Sequence, residues 1–459
     1  VAGETVTRQH VVDVCVVGGG AAGTMAAVAA KRAGARVTLV RRGDGATQQS
    51  SGAVDVAEDH GGRPLGPRRH ALEGGLPYLD AARSVAHAYP AHPYARAEGC
   101  LEAIPEALRM LGEVARGVAL VGREDGNNLV MPTTLGTFKR TAWVQGSMVG
   151  ASLGRGRTGV TLVVHVPHLA QGDGHVVAAT LQHVAGLGDG GRDALGQVEV
   201  VTLSAVTSQE DALMPVWHLA GRLLSDAVKN ALVDVVMDAS RRFGPVAAVV
   251  LPPAFGGVGS AAWVTEVSAA LGMPVGEMLS APASVPGLRL QNALDEGAAR
   301  EGVDILDAQV THARVEKGRV IQLHARPAAG VDEHLIKPRA VVMCTGKYLS
   351  GGIRRDGTFV EPLLNLPLFL DNVPVSAGFI GAHVAERPED PQPFMRVGVL
   401  TDGEMRPLDH GQAAPALTGV FAAGSLLAGY DPGRMGTGLG LAAVTGMLAG
   451  RAAVAFLAR

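Results

Sequence analysis

The first apolar run of the chain, VVDVCVV at 11–17, is short, dense and without helical period, so it predicts a buried strand. It runs straight into GGGAAG at 18–23 and then into TMAAVAAKRAG, an alanine-rich stretch of helical composition that stops at Gly34. ARVTLV at 35–40 predicts a second strand. These pieces form a strand–glycine turn–helix–strand unit of about 30 residues. Residues 41–100 are turn-rich, with Gly/Pro/Arg loops, and a helix is expected at about 101–116. Between 160 and 275 strand-like runs (TLVVHV, VEVVTLSAV, VAAVVLP) alternate with helical ones near 174–186, over 217–243 as one long helix, and at about 261–271. Such alternation marks a compact α/β region, closed by the proline punctuation at 282–286. LRLQNALDEGAAREGVDIL then reads as a helix leading into a strand, and VTHARVEKGRVIQLHAR as a hairpin turning at Lys317-Gly318. A strand at 340–344 runs into Thr345-Gly346, and GVFAAG at 419–424 is a strand before a last turn and helix.

Composition narrows the function classes. Apolar residues make up 47% of the 459 residues and charged ones 18%, below the usual charged share of about 25%. That is ample for a core and excludes a disordered tail protein. Glycine, 62 residues, stands at roughly twice its ordinary share of about 7%. It shows no Gly-x-y period, so tight turns and close backbone approaches are expected. The net charge of −3, with no basic block and only 3 Trp, 5 Tyr and 9 Phe, gives nucleic-acid binding no support. Cys15, Cys100 and Cys344 lie far apart with no Cys-x-x-Cys, so an iron–sulfur or zinc site held by this chain's cysteines is excluded on ligand count. No metal is expected, and three thiols without a framework point to a reducing compartment. His165 and His168 have metal-like spacing, but Pro167 and a strand context make them ordinary edge histidines. The apolar stretches 11–30 and 435–457 are interrupted by Asp13 and glycines, and by Arg451 and glycines, so neither predicts a membrane span. A soluble protein is expected.

The candidate chemistry begins at Gly18-x-Gly20-x-x-Gly23. The first glycine allows the tight turn, the second lets a phosphate approach the backbone, and the third lets helix and strand pack closely at a positive helix end. The usual acidic residue closing the second strand is missing: that strand ends Val40-Arg41-Arg42, with Asp44 beyond. Three readings stay open for Arg41 and Arg42: the 2′-phosphate of NADP, another phosphate, or a ligand without the adenosine half. Gln48-Gln49-Ser50-Ser51-Gly52-Ala53 is a loop of small donors able to wrap a flavin ring or ribityl phosphate. Thr345-Gly346 and Gly424-Ser425 each place a glycine turn after a late strand. In that order and spacing these motifs point to a flavoprotein. The expected fold is α/β, a Rossmann-type FAD/NAD(P)-binding domain split by an inserted α/β domain, with parts 1–149, 150–280 and 281–459.

The segments SSGAVDV (51–57), TTLGTFKRTAW (133–143), LPPAFGG (251–257), SVPGLRLQNAL (284–294), CTGKYLSGGI (344–353), VGVLTDGEMRP (397–407) and FAAGSLLAGYDPGRMGTGLGLAAVTG (421–446) go further. Spread from near the glycine fingerprint almost to the last helix, they span most of the chain, and it resembles the B subunits of anaerobic glycerol-3-phosphate dehydrogenase. SVPGLRLQNAL and LAGYDP are the specific matches, since no generic flavin motif demands them. The resemblance implies a flavin subunit of a three-part, quinone-linked oxidoreductase that oxidises sn-glycerol 3-phosphate to dihydroxyacetone phosphate and is active in complex. Its implied partners are the FAD-bearing catalytic A subunit, and the cysteine-rich C subunit, which carries iron–sulfur clusters to the membrane. The implied location is cytoplasmic, peripheral at the inner face of the cell membrane.

That family is commonly assigned FMN, whereas Gly18, Gly20 and Gly23 suggest a pyrophosphate and so FAD; FAD is the expected cofactor and FMN the alternative. The terminal segment also resembles fumarate reductase and succinate dehydrogenase flavoproteins. On that pattern Arg434 falls at a substrate-binding arginine and Ser425 at a flavin-contacting glutamate. With no histidine in the QQSSGA loop, non-covalent flavin is implied. Lys139 and Arg140 are a second anion-binding candidate, for a substrate phosphate, and Asp431 either accepts a ribityl hydroxyl or caps a turn. No general base stands out, which fits catalysis residing in the partner that bears FAD. Two alternatives stay open: a standalone flavin-dependent dehydrogenase or reductase of a small anion with Arg434 in its pocket, and an architectural subunit without flavin.

Overall fold

A computed structural model describes residues 7–58, 76–154, 158–186, 195–204, 206–257, 259–328, 332–375 and 380–459. Part of the turn-rich region expected at 41–100 lies outside the described residues. The chain divides into two compact units, one drawn from Val1–Ala46, Ala82–Val114 and Leu294–Arg459, the other from Thr47–Ala81 and Ala115–Ala293.

The first unit is built on five parallel strands in the order Asp304–Glu316, Val37–Arg41, Thr7–Val17, Glu333–Met343, Val420–Ala422. Val14, Cys15 and Val16 are wholly buried. A parallel sheet covered on both faces has no solvent side, which is why these strands read as continuous apolar runs rather than alternating ones. From the central strand Thr7–Val17 the chain goes first to one side of the sheet and later to the other. The switch point therefore lies between Thr7–Val17 and Glu333–Met343, whose last residues Val17 and Met343 stand in register. Beyond the sheet proper, Asp304–Glu316 turns at Lys317 (φ 50°) and Gly318 (φ 71°) into the antiparallel strand Arg319–Pro327. Two successive left-handed residues are what a two-residue hairpin turn requires. The strand after it begins at Glu333, well ahead of the expected 340.

The helix Ala21–Arg32 is buried from Ala21 through Ala30. The closing helix Leu439–Leu457 packs along it. A Cβ at Gly446 would run into the Ala22 carbonyl, and one at Gly450 into that of Ala26, so the two backbones approach more closely than any larger residue allows. This closing helix is long and apolar enough to cross a membrane, but 61% of its apolar window is buried inside the protein, and it is a core helix here.

The second unit carries a four-stranded parallel sheet in the order Val275–Glu277, Val246–Leu251, Val160–His165, Gln197–Thr202. It contains the helices Gly174–Gly186, Asp226–Phe243 and Ser260–Leu271. A small ladder pairs Leu129–Pro132 with Phe138–Thr141. The unit is wider than the insert expected from the alternation, taking in stretches on both sides of 150–280. The long helix expected over 217–243 is instead broken into Val216–Ala220, a short turn Arg222–Leu224, and Asp226–Phe243. The apolar period continues across the break, but Ser225 takes an extended conformation and its side chain accepts from the Val228 N–H, capping a new helix.

Candidate functional site

In the first unit the glycine turn is shaped by steric demand at two positions. Gly18 has φ 117°, and a Cβ there would collide with the Cys344 carbonyl; a Cβ at Gly23 would collide with the Gly18 carbonyl. The turn thus presses against the end of the neighbouring strand, where Cys344 N donates to Val17 O at 2.8 Å. Gly20 is the N-cap of the helix and offers no side chain to its first turn. A helix N-terminus so placed attracts phosphate.

The late motifs come to the same place. Gly424 (φ 71°) lies against Ala22 in the first turn of that helix, its N–H held by Thr445 Oγ1 at 3.0 Å. Gly346 (φ 73°) faces Ser425, whose Oγ would be 3.4 Å from an added Cβ. Ser350 Oγ donates to the Thr345 carbonyl at 2.6 Å, while Thr345 Oγ1 is buried with no hydrogen-bond partner. Gly18, Gly20, Gly23, Thr345, Gly346, Gly424 and Ser425 are therefore gathered at the switch point. A buried hydroxyl without a partner costs free energy unless something bonds it. The tight turn, the glycine at the helix N-terminus and this orphan oxygen suit a phosphate-bearing cofactor such as a flavin dinucleotide.

Arg41 and Arg42 part company. Arg41 pairs with Asp295 at 2.5 Å and with Asp307 at 2.7 Å, its side chain only 15% exposed and its methylenes lying over Gly19. Its charge is thus answered by two carboxylates of its own chain, and it offers a phosphate little. Arg42 is exposed. Asp431, buried, accepts from the N–H groups of Gly433 and Arg434 at 3.0 and 3.3 Å and caps the short helix Pro432–Met435. The turn cap foreseen for it is formed. Arg434 donates to the Glu389 carbonyl and has no carboxylate partner among the described residues.

The other candidates belong to the second unit. Ser50 N donates to Thr47 O at 3.0 Å, Ser51 O accepts from Ser280 N at 3.2 Å, and Gly52 has φ 89°. Lys139 is held by Asp55 at 2.5 Å. Its positive charge is thereby matched, so Lys139 is no open phosphate clamp. Arg140 lies beside it on Phe138–Thr141, opposite Val130.

The first unit also holds a cluster that no motif announces. Lys347, one residue past Gly346, is 8% exposed; its Nζ donates to Met395 O at 2.7 Å and lies 5.2 Å from the centre of the Tyr430 ring. His92, fully buried, meets the same Tyr430 edge-on at 5.5 Å and accepts from Tyr94 N through Nδ1. Burial holds His92 down at about 3 and Lys347 down to about 7, the latter against the pull of Asp431. A lysine in CTGKYLSGGI was visible in the sequence; its burial was not. Among the described residues no cluster of His, Cys, Asp and Glu could hold a metal ion.

Residues 13–441 match the family model described as the FAD binding domain. Over 436 residues, 94% of this chain and 95% of the relative, the sequence is 26% identical to the B subunit of anaerobic glycerol-3-phosphate dehydrogenase from Yersinia pestis bv. Antiqua (strain Antiqua). It is 25% identical to the protein of the same name from Vibrio cholerae serotype O1 (strain ATCC 39541 / Classical Ogawa 395 / O395), over 94% of both chains. Among solved structures, 3-ketosteroid-delta4-(5alpha)-dehydrogenase from Rhodococcus jostii RHA1 is similar over 97% of both chains, with a TM-score of 0.41 and 14% identity.

Proposed function

This chain belongs to the FAD binding domain family and is a flavin-dependent oxidoreductase, and from that premise we propose that it serves as the B-type flavin subunit of a glycerol-3-phosphate dehydrogenase complex. In this reading sn-glycerol 3-phosphate is oxidised to dihydroxyacetone phosphate and the electrons reach quinone through two partner subunits, one catalytic and FAD-bearing, the other carrying iron–sulfur clusters to the membrane. The observation that carries it is likeness along nearly the whole length of relatives bearing that name, not a shared motif alone.

Bound FAD would supply this chain with a two-electron carrier between the alcohol and the quinone. The residues fit it. The helix that starts at Ala21 would turn its positive end to the pyrophosphate, Gly18 and Gly23 would keep the turn tight enough for that approach, and Thr345 Oγ1 would have a hydrogen bond to give. The Ser50–Gly52 loop, without histidine, would hold the cofactor by hydrogen bonds rather than a covalent link. Purified protein is expected to be yellow and to release FAD completely on acid precipitation. A colourless chain that takes up no added FAD would overturn the reading.

Of two anion candidates, Lys139 is matched by Asp55, while Arg434 has no carboxylate partner among the described residues. Arg434 is accordingly assigned to the substrate phosphate. Removing a charge-assisted contact of this kind weakens binding about 10- to 100-fold. Arg434→Ala in the assembled complex should raise KM for glycerol 3-phosphate by that factor with kcat nearly kept; an unchanged KM would dismiss the residue.

A further inference from the structure

Residues of three of the matching sequence segments, with Gln145 just beyond a fourth, meet in one buried network of the second unit. Arg289, from SVPGLRLQNAL, is 5% exposed. It donates through Nε to Gln145 Oε1 at 3.1 Å, through Nη1 to the carbonyl of Phe255 in LPPAFGG at 2.5 Å, and through Nη2 to Ser147 Oγ at 3.1 Å and Glu277 Oε2 at 2.7 Å. Glu277, wholly buried, accepts from Phe255 N through its other oxygen at 3.1 Å. Gln145, just beyond TTLGTFKRTAW and 1% exposed, has its oxygen fixed by Arg289, which sets which end of the amide faces the other way. That end, Nε2, donates to Gly52 O at 3.2 Å and to Pro286 O at 2.7 Å.

Gly52 belongs to SSGAVDV. At φ 89° a Cβ there would meet Pro286, Gln145 Nε2 and Met148. A Cβ at Gly287 would likewise strike the carbonyls of Gln48 and Ser50. The loop 48–52 is therefore moulded onto the start of the helix Val285–Arg300, and Gln145 is the side chain that bonds both.

We propose that Gln145, oriented by Arg289, is a positioning residue for the cofactor: its amide clamps the Gly52 carbonyl and thereby sets the hydrogen-bonding groups of Ser50 and Ser51 for the flavin. This rests on the reading that the Ser50–Gly52 loop meets the flavin. The polar charge network is then explained by its output. A buried ion pair adds little stability over apolar packing, but a fully satisfied network specifies one arrangement of the groups attached to it.

The test uses the full chain and FAD as probe. Gln145→Glu keeps size and the Arg289 contact but turns the donor into an acceptor facing two carbonyls; Gln145→Met removes the donor without adding charge. Both should weaken FAD binding about tenfold or more, the scale of a buried carbonyl pair left unbonded. Both should also shift the visible circular dichroism of the flavin at saturating FAD. Thr161→Val, which removes a buried bond to Leu195 O (2.8 Å) elsewhere in the same unit, is the comparison. It should leave FAD affinity and spectrum alone even where its Tm falls as far. Wild-type affinity in Gln145→Met, or an equal loss in Thr161→Val at matched Tm, overturns the positioning role. If one Gln145 variant does not fold, the other decides. A wild-type chain that takes up no FAD overturns the flavin reading itself, and this inference with it.

Discussion

Arg289→Met should destabilise the chain by about 3–5 kcal/mol, because it leaves the Glu277 carboxylate in the interior with its cation gone. Glu277 is 0% exposed and has no route to water. The guanidinium also serves Phe255 O, Ser147 and Gln145, so three further polar groups lose their donor at once. Denaturant titration would show the midpoint falling sharply. The paired change Arg289→Met with Glu277→Gln keeps an amide oxygen for Phe255 N and removes the stranded charge, so it should recover much of the loss. A double variant no more stable than Arg289→Met alone would mean that the cost is packing and not the buried charge.

The second large effect is on the pH dependence of stability, and it turns on Lys347. Burial lowers its folded-state value to about 7 from the ordinary 10.5. Between those limits the unfolded chain binds a proton that the folded chain does not, so stability rises with pH, at about 1.4 kcal/mol per unit. As pH falls through 7 the lysine charges in the interior and that stability is gone. The upper end of the window is cut short by the thiols. Burial pushes Cys15 and Cys100 up to about 12 and Cys344 up as well, so above 9 only the unfolded chain forms thiolates, and stability is lost again. A maximum near pH 9 follows. Lys347→Met should remove the rise, so that the stability gap between variant and wild type changes by about 2.3 kcal/mol from pH 7 to pH 9. Equal slopes in the two proteins would show that Lys347 is charged in the fold throughout.

These two side chains also mark where local reading stops. The glycine turn, the hairpin at Lys317-Gly318 and the helix starting at Ala21 were all legible, because positive φ and helical composition are properties of a few neighbouring residues. The long helix over 217–243 was misread for the same reason. Its apolar period is continuous, and the break depends on a hydroxyl turning back onto a backbone N–H. The Phe421–Gly446 segment was recognisable as a flavin-type ending, and the turn cap foreseen for Asp431 within it is formed.

The ends of long-range pairs were hidden altogether. The second strand lacks the acid that normally closes it, but its neighbour in the sheet supplies one: Asp307 stands in register with Arg41 and bonds it, and Asp295 adds another. Lys139 looked like a free cation until Asp55, far back in the chain, came to its side. By itself the sequence determined the α/β class and the phosphate-ready turn, which are written in composition and short spacing, and its likeness to known segments along the chain pointed to the family. Only the tertiary structure decided which charges are matched, which lysine is buried, and which amide holds the 48–52 loop. Charge matching and burial depend on what the folded chain brings together across hundreds of residues, and no local pattern encodes the partner.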